Sequence, residues 1–369
     1  MRLSRNTPAL VATVAMLASA ALALSGCAGG GAGQGTAGGQ SGAEGAEAGG
    51  AEPSDIVGES VPLGVGGEEV TVGLTYVPNV QFAPVYVAGA DEIFRAAGVG
   101  VSIRHHGADE GLFTALASGE EDVTVASGDE VLQARAAGLD LVAIGAYYHE
   151  YPVVIITKEE SGIDTVEGLR GKKVGLPGEF GSNWFGLLAA LDAANMTTRD
   201  IDVVSIGFTQ AASLAQGSVD AIVGFINSDA VQVEQLGIQA NIIELAPGGV
   251  PLVGATIVST RDWVEAHPGL ATATVGAITA GIERVVKNPQ HALEISAHWD
   301  KSLEDAQVRQ VAARMLEATI ELWKTPEGTV SAIQDVAKWD QMAPFLSRIL
   351  DLDLGGENVE EAVTNQYAK

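Results

Sequence analysis

From residue 69 onward, short apolar runs bounded by glycine alternate with segments whose apolar residues recur every three or four positions. The first pattern is that of strands covered on both faces, the second that of helices packed on a core. Residues 69–74 read as a strand. The segment opened by Pro84 reads as a helix to about Ala97, stopped at Gly98, and 99–105 as a second strand. A helix at 112–117, a strand at 123–126, a helix at 131–137 and a strand at 141–146 follow, and the same succession returns at 211–215, 221–225, 230–236 and 241–245. Gly119, Gly138, Gly217 and Gly237 stand where these helices end, and glycine takes the left-handed conformation past a helix C-terminus at least cost. The pattern is α/β, in two lobes of similar topology.

Two extended runs join the lobes: 151–157 (YPVVIIT) leaves the first and 250–259 (VPLVGATIVS) returns to it. Two crossover strands make a hinge. Ligands of open α/β sheets bind at the carboxyl ends of strands, which places the loops at 76–82, 127–130, 147–151, 179–184 and 227–229 around one cleft. The second lobe opens on 175–186 (GLPGEFGSNWFG), a strand, a glycine-broken turn and a helix for which Ser182 is suited as N-cap. Phe180 and Trp184 there suit either a ligand or the core. From Asp262 onward the spacing is helical, interrupted at Pro268, Pro289, Pro326 and Pro344; this helical C-terminal region is expected to form the outer wall of the first lobe, with Trp299, Trp323 and Trp339 packing it.

The N-terminal 26 residues change the picture. Arg2 and Arg5 precede an alanine- and leucine-rich run that closes on LSGC, with Cys27 the only cysteine of 369 residues. This is the layout of a signal peptide, and its end resembles the lipobox of bacterial lipoproteins, which implies a mature chain starting at a lipid-bearing Cys27 on the outer face of the cytoplasmic membrane. One cysteine excludes an intrachain disulfide and a cysteine-based metal site. Residues 27–68 are Gly, Ala, Ser, Gln and Glu with few large apolar side chains, and are expected to be a disordered tether reaching on the order of 35 Å. The expected division is leader 1–26, tether 27–68, lobe 1 at 69–157 plus 247–369, and lobe 2 at 158–246. The formal charge of −27 becomes more negative still when two arginines leave with the leader, which argues against nucleic-acid partners.

Catalytic constellations are hard to assemble. His105 and His106 are adjacent and point to opposite faces of a strand. His149-Glu150 has no second pair at metal spacing, and neither a phosphate-binding GxxxxGK[ST] loop nor a GxSxG elbow is present. No cofactor is called for.

The order of leader, tether, lobe, crossover, lobe, crossover and helical tail resembles the solute-binding lipoproteins of ABC importers, with the two-lobed periplasmic-binding-protein type II fold. LTYVPNVQFAPVYVA at 74–88 looks like the first-strand motif of the SsuA/THI5-like group, and GIDTVEGLRGKKVGLPG at 162–178 like the entry to its second lobe. The resemblance implies a monomer that captures a small molecule by hinge closure and docks on an ABC permease with its ATPase. The group spans binders of sulfonates, thiamine pyrimidine precursors and flavins, and also pyrimidine synthases that need a cysteine-rich motif absent from this chain.

Tyr76, Phe82, Tyr147, Phe180 and Trp184 crowd the cleft loops of a chain with only 5% aromatics. Flat rings favour flat ligands. Asn79, Gln81, Asn183 and Asn227 can read donor and acceptor edges, and Ser127 and Ser182 add hydroxyls. Glu179 and Asp229, with Glu130 a weaker candidate, can accept from an amino group or protonated ring nitrogen. No lysine or arginine lies in these loops, which disfavours a sulfonate. The sequence therefore favours a neutral or cationic aromatic heterocycle, a thiamine pyrimidine precursor ahead of riboflavin, and binding rather than catalysis.

Overall fold

A computed structural model of the chain describes residues 57–64, 67–107, 110–350 and 359–369. The leader, Cys27 and most of the expected tether lie outside the described residues. Eleven strands are described: β1 (Ser60–Gly64), β2 (Glu68–Leu74), β3 (Val99–His105), β4 (Val123–Ser127), β5 (Leu141–Ala146), β6 (Val153–Lys158), β7 (Lys173–Leu176), β8 (Asp202–Ser205), β9 (Ala221–Phe225), β10 (Ala240–Ile243) and β11 (Ala255–Thr260). They form two sheets, ordered β1-β3-β2-β4-β11-β5 and β10-β6-β9-β7-β8.

The two sheets share one connectivity. In the first, β2 lies between β3 and β4, parallel to both; in the second, β7 lies between β8 and β9, parallel to both. Each sheet is completed by an antiparallel crossover strand, β11 beside β4 and β5, β6 beside β9 and β10. Strands β4 and β5 are buried along their whole length, as apolar runs covered on both faces must be. Gly119 (φ 78°) and Gly217 (φ 71°) occupy equivalent left-handed positions at the ends of helices Thr114–Ser118 and Gln210–Gln216, where a side chain would be strained. The carboxyl ends of β2, β3 and β4 lie along one edge of their sheet, and those of β7, β8 and β9 along one edge of theirs.

Several boundaries differ from the sequence reading. The helix expected from Pro84 to Ala97 breaks into Ala83–Ala90 and Ile93–Ala96, with Glu92 left-handed (φ 58°) between them. The second crossover is extended only from Ala255, because 250–254 forms a loop. Strand β1 falls inside the stretch expected to be unstructured: Val61 and Leu63 pack against the core while the backbone adds an edge to β3. Pro268 and Pro289 open helices at their first position, as proline's fixed φ permits. Pro344, expected to end a helix, sits inside Val336–Leu350, held there by buried Trp339, Met342 and Leu346.

Helices Pro268–Lys287 and Pro289–Ser296 pack on Ala83–Ala90 of the first lobe, and Trp299 stacks on Tyr86 (centroids 5.0 Å apart, 12° between planes). The rest of the helical tail touches the elements of both sheets, which the sequence reading did not anticipate. Trp339 and Met342 share one apolar cluster with Val131 and Leu132 of helix Gly128–Ala136 and with Phe185 and Ala189 of helix Gly181–Ala193. Helix Ala306–Leu322 reaches Asp229–Gln235, where Arg314 donates to the Gln235 amide. That helix is capped by Asp305, whose Oδ1 accepts from the Gln307 and Val308 amides at 2.8 and 3.0 Å. Asp305→Ala is expected to lower stability by about 1 kcal/mol, read from a shifted urea midpoint at unchanged slope. Among the described residues, no helix is long and apolar enough to cross a membrane.

Candidate functional site

The loop after β2 is held by a hydrogen-bond chain. The Tyr76 carbonyl accepts from His105 Nδ1 at 2.9 Å, which leaves Nε2 to accept from the Tyr86 hydroxyl at 3.0 Å. The Tyr86 oxygen in turn accepts from the Asn79 amide at 3.4 Å. Burial depresses the His105 pKa to about 4, so the ring stays neutral and this tautomer persists. Asn79 Oδ1 accepts from the Gln81 amide (3.1 Å), and the Gln81 carbonyl accepts from the Tyr147 hydroxyl (2.7 Å). Phe82 and Tyr147 lie in the first-lobe core. Asn79, Gln81, Phe82 and Tyr147 thus shape the loop from behind, and Tyr76 and Val77 are the apolar residues it presents.

Tyr76 is 36% exposed, and its ring meets Phe208, from the loop after β8, edge to face at 5.7 Å and 72°. Phe208 is 55% exposed and Ile226, after β9, is exposed as well. Asp229, buried at the start of helix Asp229–Gln235, raises the Tyr76 pKa through its charge, after the larger effect of burial, so it faces the same space. Burial lifts the Asp229 carboxyl to about 6, against the pull of the Phe225 N–H that its Oδ2 accepts at 2.8 Å. Asn227 is buried, donates Nδ2 to Thr319 Oγ1 at 2.9 Å, and among the described residues has no hydrogen-bond partner for Oδ1; the Tyr148 phenol lies near enough for the amide to act on its titration. The structure therefore brings Tyr76 and Asp229 together across the sheets and sets Asn227 beside Thr319 and Tyr148. It adds Phe208, which the sequence reading missed because β8 itself is too short and too half-buried to register as an apolar run, and Ile226, which sits between the expected strand 221–225 and the expected cleft loop 227–229.

A second group sits at the junction of the lobes. Ser127 ends β4 and caps helix Gly128–Ala136 directly, with no loop between, and Glu130 closes a capping box with it. Ser127 Oγ lies 2.5 Å from Asp129 Oδ1, 2.5 Å from Glu130 Oε2 and 2.8 Å from Ser182 Oγ of the other lobe. Tyr151, on the crossover, is 2.6 Å from Asp129 Oδ2 and 2.9 Å from the Ser182 carbonyl. Ser182 is thus not an N-cap: Gly181–Ala193 starts one residue before it and carries no side-chain cap. Asn183 donates to the Val223 carbonyl at 2.8 Å, and Trp184 packs between two apolar clusters. Glu179 is exposed, and Phe180 is 61% exposed with its ring folded over Gly178. Among the described residues, no cluster of histidine, cysteine or carboxylates could hold a metal ion.

The sequence profile of the family described as NMT1/THI5 like matches residues 79–292. A protein of Chloroflexus aurantiacus named riboflavin-binding protein RibY is 28% identical over 306 residues, 81% of this chain and 86% of its own. A formylaminopyrimidine-binding protein of Halalkalibacterium halodurans is 25% identical over 281 residues, 76% of this chain and 84% of its own. A 4-amino-5-hydroxymethyl-2-methylpyrimidine phosphate synthase of Uromyces fabae is 25% identical over 60% of this chain and 68% of its own. In structure, the chain is similar to the alkanesulfonate-binding protein SsuA of Xanthomonas axonopodis pv. citri, bound to MOPS: TM-score 0.61, 19% identity, 82% of this chain and 99% of that one. The periplasmic-binding-protein fold is shared.

Proposed function

Because the chain belongs to the NMT1/THI5-like family, we propose that it is the extracytoplasmic solute-binding component of an ABC importer, anchored through lipid on Cys27, that captures a flat nitrogen heterocycle between its two lobes. The observation that carries this reading is the Tyr76–Phe208 pair: two exposed rings, one from each lobe, meeting at the strand ends. Rings in that position can part to take a planar ligand and stack on it. Asn227 Oδ1, unpaired among the described residues, supplies an acceptor for a ring N–H, and Asp229 a second polar contact. The sequence favoured a thiamine pyrimidine precursor. Phe208 and Ile226 add two exposed apolar side chains to Tyr76, which favours a larger planar ligand, so a flavin becomes the preferred ligand, with the pyrimidine as second reading. The relative named for riboflavin binding, aligned over most of both chains, supports that order.

Titration of the full chain with riboflavin, followed by quenching of flavin fluorescence, tests the reading; a 4-amino-5-hydroxymethylpyrimidine and taurine are the comparison ligands. Saturable quenching with unchanged ligand recovered by mass spectrometry is expected. Binding of taurine alone would refute an aromatic ligand, and conversion of the pyrimidine would refute a purely binding role. Tyr76→Ala and Phe208→Ala are each expected to weaken the bound ring about tenfold, since one stacking contact is worth roughly 1–3 kcal/mol. Tyr76→Phe is expected to change affinity little.

A further inference from the structure

The Ser127–Asp129–Glu130–Ser182–Tyr151 group has more oxygen–oxygen contacts than hydroxyl protons. Five contacts lie at 2.9 Å or less: Ser127 to Asp129, to Glu130 and to Ser182, and Tyr151 to Asp129 and to the Ser182 carbonyl. The three hydroxyls bring one proton each. Two carboxylates converge at 2.5 Å on the single Ser127 oxygen, which can donate to only one of them. The Ser182 carbonyl can only accept, so if Tyr151 donates to it, Asp129 must donate to Tyr151. With both acids ionised these contacts include oxygens facing each other with no hydrogen between. We propose that Asp129 and Glu130 hold at least one proton when the lobes are joined as seen here, and that this proton is part of a clasp between the lobes that loosens as pH rises.

The surroundings agree with the geometry. Burial pushes both carboxyls up, and the Asp129 charge pushes Glu130 further. Their ionisable neighbours are each other and the Tyr151 phenol, itself raised by burial and by Asp129. The charged groups on the elements packed around them are engaged elsewhere or lie further along. Arg135, on the same helix, pairs with Asp140 and Glu361 at the far end. Asp192 of helix Gly181–Ala193 pairs with Arg348 of helix Val336–Leu350. That last helix also carries Lys338 and Asp340, helix Val359–Ala362 carries Glu360 beside Glu361, and Glu150 and Glu179 flank the crossover and the second-lobe turn. Strands β4, β5 and β11 carry no charged side chain. Both acids belong to the first lobe, so separating Ser182 from Ser127 admits water to them and returns them towards the ordinary carboxylate range, about 4.

The sign follows. The joined state has the higher pKa, so it is favoured fully below about 4 and loses ground as pH climbs towards the raised values, by at most tenfold per pH unit for one proton. Small-angle scattering of the ligand-free full chain is expected to show a larger radius of gyration at pH 8 than at pH 5. Infrared spectra of the native chain at pH 5–6 are expected to show a protonated-carboxyl C=O band that Asp129→Asn with Glu130→Gln removes. Glutamine keeps the capping box and supplies permanent N–H donors, so Glu130→Gln should stay compact to pH 8. An equal radius for the native chain at both pH values, or a pH dependence unaltered in the double variant, would overturn the clasp. Neither outcome bears on which ligand binds, so the clasp and the ligand reading fail separately.

Discussion

Replacing Gly281 with alanine is expected to destabilise the chain by about 3 kcal/mol, the upper range for a methyl forced into a filled space. Gly281 lies where helix Pro268–Lys287 crosses helix Ala83–Ala90, and a Cβ there would stand 2.2 Å from the Pro84 carbonyl oxygen and 3.1 Å from Ala88 Cβ. The obstacle is backbone, so no rotamer change relieves it and one helix must move. The shorter helix carries Tyr86, whose hydroxyl binds His105 and through it the Tyr76 loop. Ligand affinity is therefore expected to fall along with stability. Gly276 on the same helix is the control: apart from its own stretch of helix backbone, nothing lies within 4 Å of its Cβ position, and alanine there should be neutral or stabilise by up to about 1 kcal/mol. Urea denaturation of both variants decides it; equal midpoints would mean that the helices are not packed as closely as described.

How much of this was legible in the sequence depends on how local the cause is. The strand Lys173–Leu176 and the glycine stops at 119 and 217 followed from a few neighbouring residues, because burial on two faces and a left-handed cap each leave a local mark. Strands β1 and β8 left almost none: each has only a pair of large apolar residues and lies at a sheet edge, where half the surface faces solvent. Pro344 misled because a broken backbone bond is a local cost, whereas the burial that outweighs it is tertiary. The site divides in the same way. Tyr76 and Asp229 could be placed from the rule that ligands meet strand ends. Phe208 could not, since it follows a strand the pattern did not reveal. Asp129 and Tyr151 fall inside the expected cleft loops 127–130 and 147–151 without being singled out; their link to Ser182 exists because two distant turns meet, which spacing along the chain does not encode.

Trp339→Ala is expected to destabilise the chain by about 3–5 kcal/mol. The side chain is wholly buried, in a cluster that joins Val131, Leu132 and Val253 on one side to Phe185 and Ala189 on the other. Its indole nitrogen is buried with no hydrogen-bond partner among the described residues, so the loss is one of packing. Trp339→Phe keeps most of that packing and is expected to cost less than half as much. The cluster is the main apolar contact between helix Gly181–Ala193 and the first-lobe elements, so emptying it uncouples the lobes as well as weakening each. The alanine variant is expected to unfold in urea over a broader range and with a lower slope than the native chain, or in more steps. A single transition with the native slope, shifted only in midpoint, would show that the lobes are coupled elsewhere, by links such as the crossovers, the Ser127–Ser182 contact, and the Arg314–Gln235, Thr319–Asn227 and Arg348–Asp192 contacts of the C-terminal helices.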